Sequence, residues 1–301
     1  MPIIRNPFII NGYISPAYFC DRKAESEILI RQMTNGNNIA LISTRRMGKT
    51  GLIRHCFQSK EIQKAYYTFF IDIYATKSLR EFVFALSKEI IESLKSSGKK
   101  AIQTFWETMK SLQASLTFDF NGNPSFNLGL GDIQSPDATL DEIFHYLEQA
   151  NKPCIVAIDE FQQIMEYPEK GVEGLLRSYI QFTPNVHFIF SGSKKHLMES
   201  IFFSIKRPFY QSTQKLFLAP IPYTPYREFA KKLFDERKKT LQENIFHEIY
   251  QSVKGHTWYM QYLLNRLYSL PQQTPTIELL HTLIQEIIQE EEYTYQTYSQ
   301  F

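Results

Sequence analysis

The segment that most restricts the fold is residues 43–50, Ser-Thr-Arg-Arg-Met-Gly-Lys-Thr. It comes directly after the apolar stretch 39–42 and directly before a stretch, 49–57, that has apolar residues at helical spacing. A buried strand, a short loop and a helix are therefore expected in immediate succession. Backbone N–H groups and the dipole at such a helix start attract phosphate, so this pattern indicates a phosphate-binding loop, or P-loop.

The P-loop pattern assigns different tasks to its residues. Lys49 is expected to reach the β- and γ-phosphates of a nucleotide, and the hydroxyl of Thr50 to ligate Mg²⁺. Ser43 stands where the strict pattern has glycine, which is acceptable if the backbone there does not require a positive φ. The residues expected to bind nucleotide around this loop are Ser43, Thr44, Arg45, Arg46, Met47, Gly48, Lys49, Thr50 and Gly51.

A second apolar strand, 154–158, ends in Asp159 and Glu160. Ligands of parallel sheets bind at the carboxyl ends of the strands, so both carboxylates are expected near the P-loop. We expect Asp159 to hold Mg²⁺ through water and Glu160 to polarise the attacking water. Without the P-loop upstream, such a pair would be read as the start of a solvated loop.

A third apolar strand ends in Ser-Gly-Ser at residues 191–193. We expect it to lie between the P-loop strand and the Asp159 strand, which would bring its small polar end close to the γ-phosphate. Ser191 or Ser193 could then contact the attacking water or a γ-phosphate oxygen. Ser193 could also be the N-cap of the helix that follows.

Strand and helix patterns alternate as far as about residue 220, which predicts an α/β fold with a parallel sheet covered by helices on both faces. Residues 114–131 alternate apolar and polar residues around Asn-Gly-Asn-Pro and predict an inserted β-hairpin. After the Pro-rich segment near 221, four helical patterns follow. We therefore predict an α/β domain at 1–220 and a small all-helical lid domain at 221–301.

Composition excludes several classes of protein. The chain has 33 Lys and Arg against 31 Asp and Glu, a net charge of +2, which argues against a surface that coats nucleic acid. Three cysteines without a paired spacing suggest neither a zinc site nor disulfides, and favour a reducing, cytoplasmic location. No stretch approaches the length of a membrane-spanning helix.

Five segments together resemble the archaeal-type ATPase family, which belongs to the signal-transduction ATPases (STAND) of the AAA+ class. The segments are 18–25, 43–50, 157–164, 190–202 and 207–221, and the similarity covers nearly the whole chain. The resemblance implies a P-loop NTPase of the additional-strand type that binds ATP or ADP with Mg²⁺. It also marks Arg45 and Arg46 in the P-loop, and Phe19 and Arg22 before the first helix, as residues of the nucleotide site.

The resemblance further implies a helical lid with a Gly-x-Pro turn at the nucleotide. The corresponding segment here, 254–263, has Thr257 in place of proline and keeps Gly255. Arg207 stands where an arginine could reach the γ-phosphate of a neighbouring copy, which implies a homo-oligomer; an ordinary surface arginine is the alternative. DNA binding is expected only through a winged-helix domain that these residues do not include.

The leading hypothesis is a slow Mg²⁺-dependent ATPase that acts as a conformational switch for an unidentified protein partner. A GTPase-like switch is disfavoured, because Cys154 in Asn-Lys-Pro-Cys replaces the required Asp and the segment precedes the Mg²⁺ strand. A P-loop kinase remains open, although Glu160 beside Asp159 favours water over a substrate hydroxyl. A nucleotide-dependent DNA- or protein-interaction module with little hydrolysis is the remaining alternative.

Overall fold

The computed structural model describes residues 6–95, 99–112, 115–118 and 124–298. The helices are α1 Lys23–Thr34, α2 Lys49–Phe57, α3 Lys60–Ala65, α4 Leu79–Leu94, α5 Lys99–Thr108, α6 Pro136–Glu148, α7 Val172–Phe182, α8 Lys195–Phe203, α9 Tyr223–Asp235, α10 Glu243–Ser252, α11 Thr257–Ser269 and α12 Ile277–Tyr298. The strands are β1 Ile39–Ile42, β2 Tyr67–Asp72, β3 Ser115–Phe118, β4 Pro124–Asn127, β5 Cys154–Asp159, β6 Val186–Gly192 and β7 Gln214–Phe217.

The described residues form two compact units. The sheet unit comprises Ala24–Arg45 and Cys56–Leu218. The helical unit comprises Arg46–His55 and the described parts of Met1–Lys23 and Ala219–Phe301. The P-loop thus passes from the sheet unit to the helical unit between its two arginines.

The sheet unit is built on five parallel strands in the order β2-β5-β6-β1-β7. Its central strands are apolar along their length because both faces of a parallel sheet are covered, and all residues of β1 and β5 are buried. Leu41 of β1 pairs with Ser191 of β6, and Asp72 of β2 pairs with Asp159 of β5. The order confirms that β6 lies between the P-loop strand and the Asp159 strand.

Much of the aromatic content is used in the core of the sheet unit. Phe188 and Phe190 are two residues apart on β6 and therefore point to the same face, where their rings stack at 5.7 Å. Phe161, Phe202 and Phe209 surround Phe190 with ring centroids 4.5–5.4 Å away. These buried contacts fix the loop after β5 and helix α8 against the end of β6.

The helical unit has a separate core. Helices α9 to α12 bury an apolar face each, and the four predicted C-terminal helices are thereby confirmed. Phe8 from the N-terminal segment is fully buried in this core, with its ring 5.5 Å from Phe234 and 5.7 Å from Tyr268. None of the helices among the described residues is both long and apolar enough to cross a lipid bilayer.

The two units are not separated by a single boundary along the chain. We predicted a break near residue 221, whereas the helical unit also takes in residues before α1 and the segment Arg46–His55. The predicted domain boundaries remain a prediction. At the predicted hairpin, β3 and β4 pair antiparallel, while residues 119–123, where the turn was expected, lie outside the described residues.

Candidate functional site

The P-loop connects β1 to α2 with two left-handed residues. Arg46 has φ 66° and Gly48 has φ 94°. A positive φ costs little for glycine and is uncommon for arginine, so the conformation at Arg46 has to be held by surrounding contacts. Alternation of left- and right-handed residues is typical of backbone nests that bind anions.

Ser43 fits this loop without glycine. The backbone φ of Ser43 is not positive, so its side chain causes no backbone strain. The residue is buried, and its Oγ donates to the carbonyl oxygen of Thr44 at 3.0 Å. The departure from the strict motif is therefore compatible with the loop conformation.

The remaining loop side chains differ in exposure. Lys49 exposes 5% of its surface and Thr50 is half-buried, both in the first turn of α2. Thr44, Arg45 and Arg46 are exposed. In the sheet unit, the guanidinium of Arg45 lies 5.5 Å from the ring centroid of Tyr74.

Glu160 is held in a defined position by the sheet unit. It has φ 57°, and one carboxylate oxygen, Oε2, accepts from Nε2 of Gln162 at 2.5 Å and from Oγ of Ser193 at 2.7 Å. The other oxygen, Oε1, makes no hydrogen bond with a described residue. Asp159 is buried at the end of β5, and its Oδ1 accepts from the backbone N–H of Glu160 at 3.1 Å.

Ser191 and Ser193 have different environments at the end of β6. Ser191 is fully buried, and its Oγ has no hydrogen-bond partner among the described residues. Ser193 donates to Glu160, and the N-cap of α8 is Lys194, which has no side-chain cap bond. The N-cap interpretation of Ser193 was therefore wrong, because its hydroxyl serves the carboxylate instead.

Two polar residues near Glu160 were missed by the sequence reasoning. Gln162 is almost fully buried and holds Glu160. Asp72 pairs with Asp159 in the sheet register; partial burial raises the pKa of its carboxyl group, and the charges of Asp159 and Glu160 raise it further. The segment Phe-Phe-Ile-Asp that ends β2 repeats the apolar-then-Asp pattern of β5, and that repetition could have identified Asp72.

In the helical unit, Arg22 braces the P-loop backbone. The residue is buried with φ 63°, and its guanidinium donates to the carbonyl oxygens of Ala219 at 2.7 Å and Met47 at 3.1 Å. It also contacts Oγ1 of Thr257 at 3.5 Å. Thr257, which replaces the proline of the family pattern, thus supplies a polar contact that proline could not.

Phe19 packs on helix α2 within the same unit. Its ring stacks on His55 with centroids 4.3 Å apart, and it lies 3.5 Å from the position that a side chain at Gly51 would occupy. Tyr13 hydroxyl pairs with Nδ1 of His55 at 3.1 Å, and burial lowers the pKa of His55. Direct nucleotide contacts of Phe19 and Arg22 remain predictions.

Arg207 is engaged within the sheet unit. Its Nη1 lies 2.8 Å from Oε1 of Glu173. Burial raises the pKa of Glu173, and the charge of Arg207 acts in the opposite direction. The trans-acting role of Arg207 remains a prediction, and it would require this ion pair to open.

The residues proposed for Mg²⁺ fit its chemistry. Among the described residues, no group of three or more His, Cys, Asp or Glu side chains could hold a metal ion alone. Mg²⁺ keeps several waters and binds through one or two protein oxygens plus substrate phosphates, and a hydroxyl and a carboxylate are ligands of that kind. The metal roles of Thr50 and Asp159 remain predictions.

Comparison with known proteins agrees with this fold. The sequence matches the family described as an ATPase domain predominantly from Archaea over residues 19–263. No curated protein sequence matches the chain at a significant level.

Solved structures show the same architecture at low sequence identity. A Walker-type ATPase of Pyrococcus abyssi is 20% identical with a TM-score of 0.67, covering 97% of this chain and 80% of its own. The ORC1 protein of Aeropyrum pernix, solved in complex with DNA, is 12% identical with a TM-score of 0.62, covering 94% and 69%. The ORC2 protein of the same organism, in ADPNP and ADP complexes, is 15% identical with a TM-score of 0.58, covering 94% and 71%. The five-strand parallel sheet, its P-loop and the match over most of its length place this chain in the ATPase domain family found predominantly in Archaea.

Proposed function

We propose that this protein binds ATP with Mg²⁺ and hydrolyses it slowly, as a nucleotide-controlled conformational switch. The observation that carries the proposal is the strand order β5-β6-β1. The strand before Glu160, the strand that contains Ser191 and the strand before the P-loop are therefore neighbours. All three strands run parallel, so their carboxyl ends share one edge of the sheet. Membership of an ATPase family supports the same reaction.

The proposed roles follow from the chemistry of each group. Backbone N–H groups of the P-loop and the ammonium of Lys49 bind the phosphates. Thr50 and Asp159 hold Mg²⁺, which when bound neutralises charge on the phosphoryl group being transferred. The buried, unpartnered hydroxyl of Ser191 supports a hydrogen bond to the attacking water or a γ-phosphate oxygen.

Glu160 is suited to the role of general base. Its Oε2 is anchored by Gln162 and Ser193, while Oε1 makes no hydrogen bond with a described residue. A carboxylate that is fixed through one oxygen can accept a proton from water through the other without losing its orientation. Water, rather than a substrate hydroxyl, is therefore the proposed nucleophile.

Two substitutions separate binding from hydrolysis. Lys49→Ala is expected to abolish ATP binding, and Glu160→Gln to retain binding while hydrolysis falls by roughly 10²–10⁴-fold. Glu166→Gln is the matched control, since Glu166 is an exposed carboxylate paired with Lys194 at 2.7 Å. Phosphate release and calorimetric binding of ATP are measured on each variant. Full hydrolysis by Glu160→Gln would contradict the proposed base.

The second candidate is a nucleotide-dependent interaction module with little hydrolysis. It is favoured by the ion pair between Arg207 and Glu173. While this pair is formed, Arg207 is not available to act on the γ-phosphate of a neighbouring copy. Mixing Arg207→Ala with Lys49→Ala chains tests the trans arrangement: restored hydrolysis supports a homo-oligomer, and none supports the interaction module. The ORC1 protein was solved in complex with DNA, which supports testing DNA as a ligand of such a module.

The cellular setting is part of the same proposal. Cys20, Cys56 and Cys154 are free and buried, and burial raises the pKa of both Cys56 and Cys154 to about 12. Such thiols are unreactive core residues. They are consistent with a reducing, cytoplasmic compartment.

A further inference from the structure

Within the helical unit, P-loop residues 46–48 lie against the first turn of α11. The guanidinium carbon of Arg46 lies 4.3 Å from the ring centroid of Trp258. Arg22 joins the carbonyl oxygen of Met47 to Oγ1 of Thr257. A methyl group at Gly48 would lie 3.9 Å from Cγ2 of Thr257. The left-handed part of the loop is therefore braced by α11.

The Arg46 side chain has unused hydrogen-bonding capacity. It is exposed, and among the described residues its guanidinium makes no hydrogen bond or ion pair; its contact is the face of Trp258. A guanidinium presents five N–H donors in a fork that suits phosphate oxygens. Arg46 thus combines an aromatic partner with donors available to an anion.

Trp258 is the end of an ordered column along α11. Its ring stacks on Tyr262 with centroids 4.9 Å apart and planes 10° apart, as expected for residues at i and i+4. The guanidinium of Arg266 lies 5.9 Å from the Tyr262 centroid and contacts Glu290 of α12 at 3.0 Å. Arg46 is therefore linked to Glu290 of α12 by successive contacts through Trp258, Tyr262 and Arg266.

We propose that Trp258 is a positioning residue that competes with nucleotide phosphate for Arg46, and thereby couples phosphate binding to helix α11. The inference rests on the proposed function, because it requires a nucleotide at the P-loop. Charge-assisted hydrogen bonds to phosphate are stronger than a cation–π contact at a half-exposed ring, so phosphate draws Arg46 from Trp258.

The coupling is reciprocal. If nucleotide weakens the Arg46–Trp258 contact, then strengthening that contact weakens nucleotide binding by the same factor. A partner that orders the α11–α12 face would accordingly promote nucleotide release. Removing the ring should have the opposite effect and tighten binding by about two- to fivefold, the equivalent of one exposed cation–π contact.

A double-mutant cycle tests this by titration calorimetry with ADP. Trp258→Leu should bind ADP about two- to fivefold more tightly than the original chain, with Trp258→Phe in between because it keeps a ring. Arg46→Met should weaken binding, and Trp258→Leu should have no further effect in the Arg46→Met background. Equal effects of Trp258→Leu in both backgrounds, or none in either, would overturn the proposal.

Fluorescence gives a second readout that a purely structural role would not affect. The chain has two tryptophans, so Trp106→Phe leaves Trp258 as the sole tryptophan, which is excited selectively at wavelengths that tyrosine does not absorb. Its emission should change with the same midpoint as the calorimetric titration, and Arg46→Met should abolish the change. ADP binding without an emission change would overturn this inference and leave the proposed function standing. Failure of the intact folded chain to bind ADP or ATP would overturn both.

Discussion

Replacing Gly192 by alanine tests how closely the end of β6 is packed against the residues that hold Glu160. A Cβ at Gly192 would overlap Oε1 of Gln162 and the sulfur of Met198, and would lie 2.6 Å from Cγ of Met198. Gln162 exposes 2% of its surface and Met198 none. Neither side chain can move into solvent, so the substitution must displace part of the core.

The expected cost follows from this crowding. Overpacking of a filled core costs about 1–3 kcal/mol in the free energy of unfolding. Gly174→Ala is the matched control: Gly174 lies in α7, nothing is within 4 Å of its Cβ position, and alanine there should stabilise by about 0.5–1 kcal/mol. Both substitutions reduce the freedom of the unfolded chain, so their difference isolates the steric cost.

Thermal unfolding measures the loss of stability, and phosphate release measures the effect on hydrolysis. For a unit of this size, 1 kcal/mol corresponds to roughly 2–4 °C, so Gly192→Ala should melt below the original chain and Gly174→Ala above it. Displacement of Gln162 should also lower the hydrolysis rate by roughly tenfold, a part of the 10²–10⁴ expected for a general base. ADP affinity should stay unchanged, because the side chains that a Cβ at Gly192 would meet, Gln162 and Met198, lie outside the P-loop.

The opposite order of melting temperatures would refute the packing argument. Unchanged hydrolysis in a Gly192→Ala chain that is clearly destabilised would show that Gln162 does not position Glu160. Loss of ADP binding together with hydrolysis would mean that the damage extends beyond the end of β6.

Three further substitutions test other parts of the account. Ser193→Ala removes a hydrogen bond to Glu160 and should lower the hydrolysis rate by roughly tenfold without changing ADP affinity. Burial lowers the pKa of His55, so the contribution of its neutral form to stability is fully present above pH 6.5 and is lost as the pH falls through the lower pKa of the folded state. The urea concentration at the unfolding midpoint should therefore be lower at pH 5.5 than at pH 7.5. The decrease should be smaller in His55→Gln. Arg22→Lys cannot keep the planar set of donors that braces Met47, and should cost about 1.5–3 kcal/mol in urea unfolding and weaken ADP binding.

Local patterns predicted the sheet unit well. The apolar runs at β1, β5 and β6 predicted buried parallel strands. The additional-strand type of P-loop sheet placed β6 between the other two, as the structure confirms. These predictions succeeded because a strand covered on both faces must be apolar, and because the P-loop occurs between a strand and a helix. Helix α3 was missed, since its six residues give a weak periodic signal. Helix α5 was missed although its ten residues are amphipathic.

Contacts between residues distant in sequence could not be predicted. Nothing in the local sequence shows that Gln162 is buried beside Glu160, or that Arg22 reaches Met47 and Thr257. These arrangements depend on tertiary packing rather than on periodicity. The membership of Arg46–His55 in the helical unit is unpredictable for the same reason, because the segment is continuous in sequence with the sheet.

The most direct test of the central claim is the identity of the nucleotide that the protein retains and converts. The purified chain is incubated with equimolar ATP and GTP in Mg²⁺, freed of unbound nucleotide and denatured, and the released nucleotide is identified by chromatography beside Lys49→Ala. The account predicts adenine nucleotide, partly converted to ADP, at about one per chain in the original protein and none in Lys49→Ala. Guanine nucleotide, or equal amounts from both chains, would contradict it.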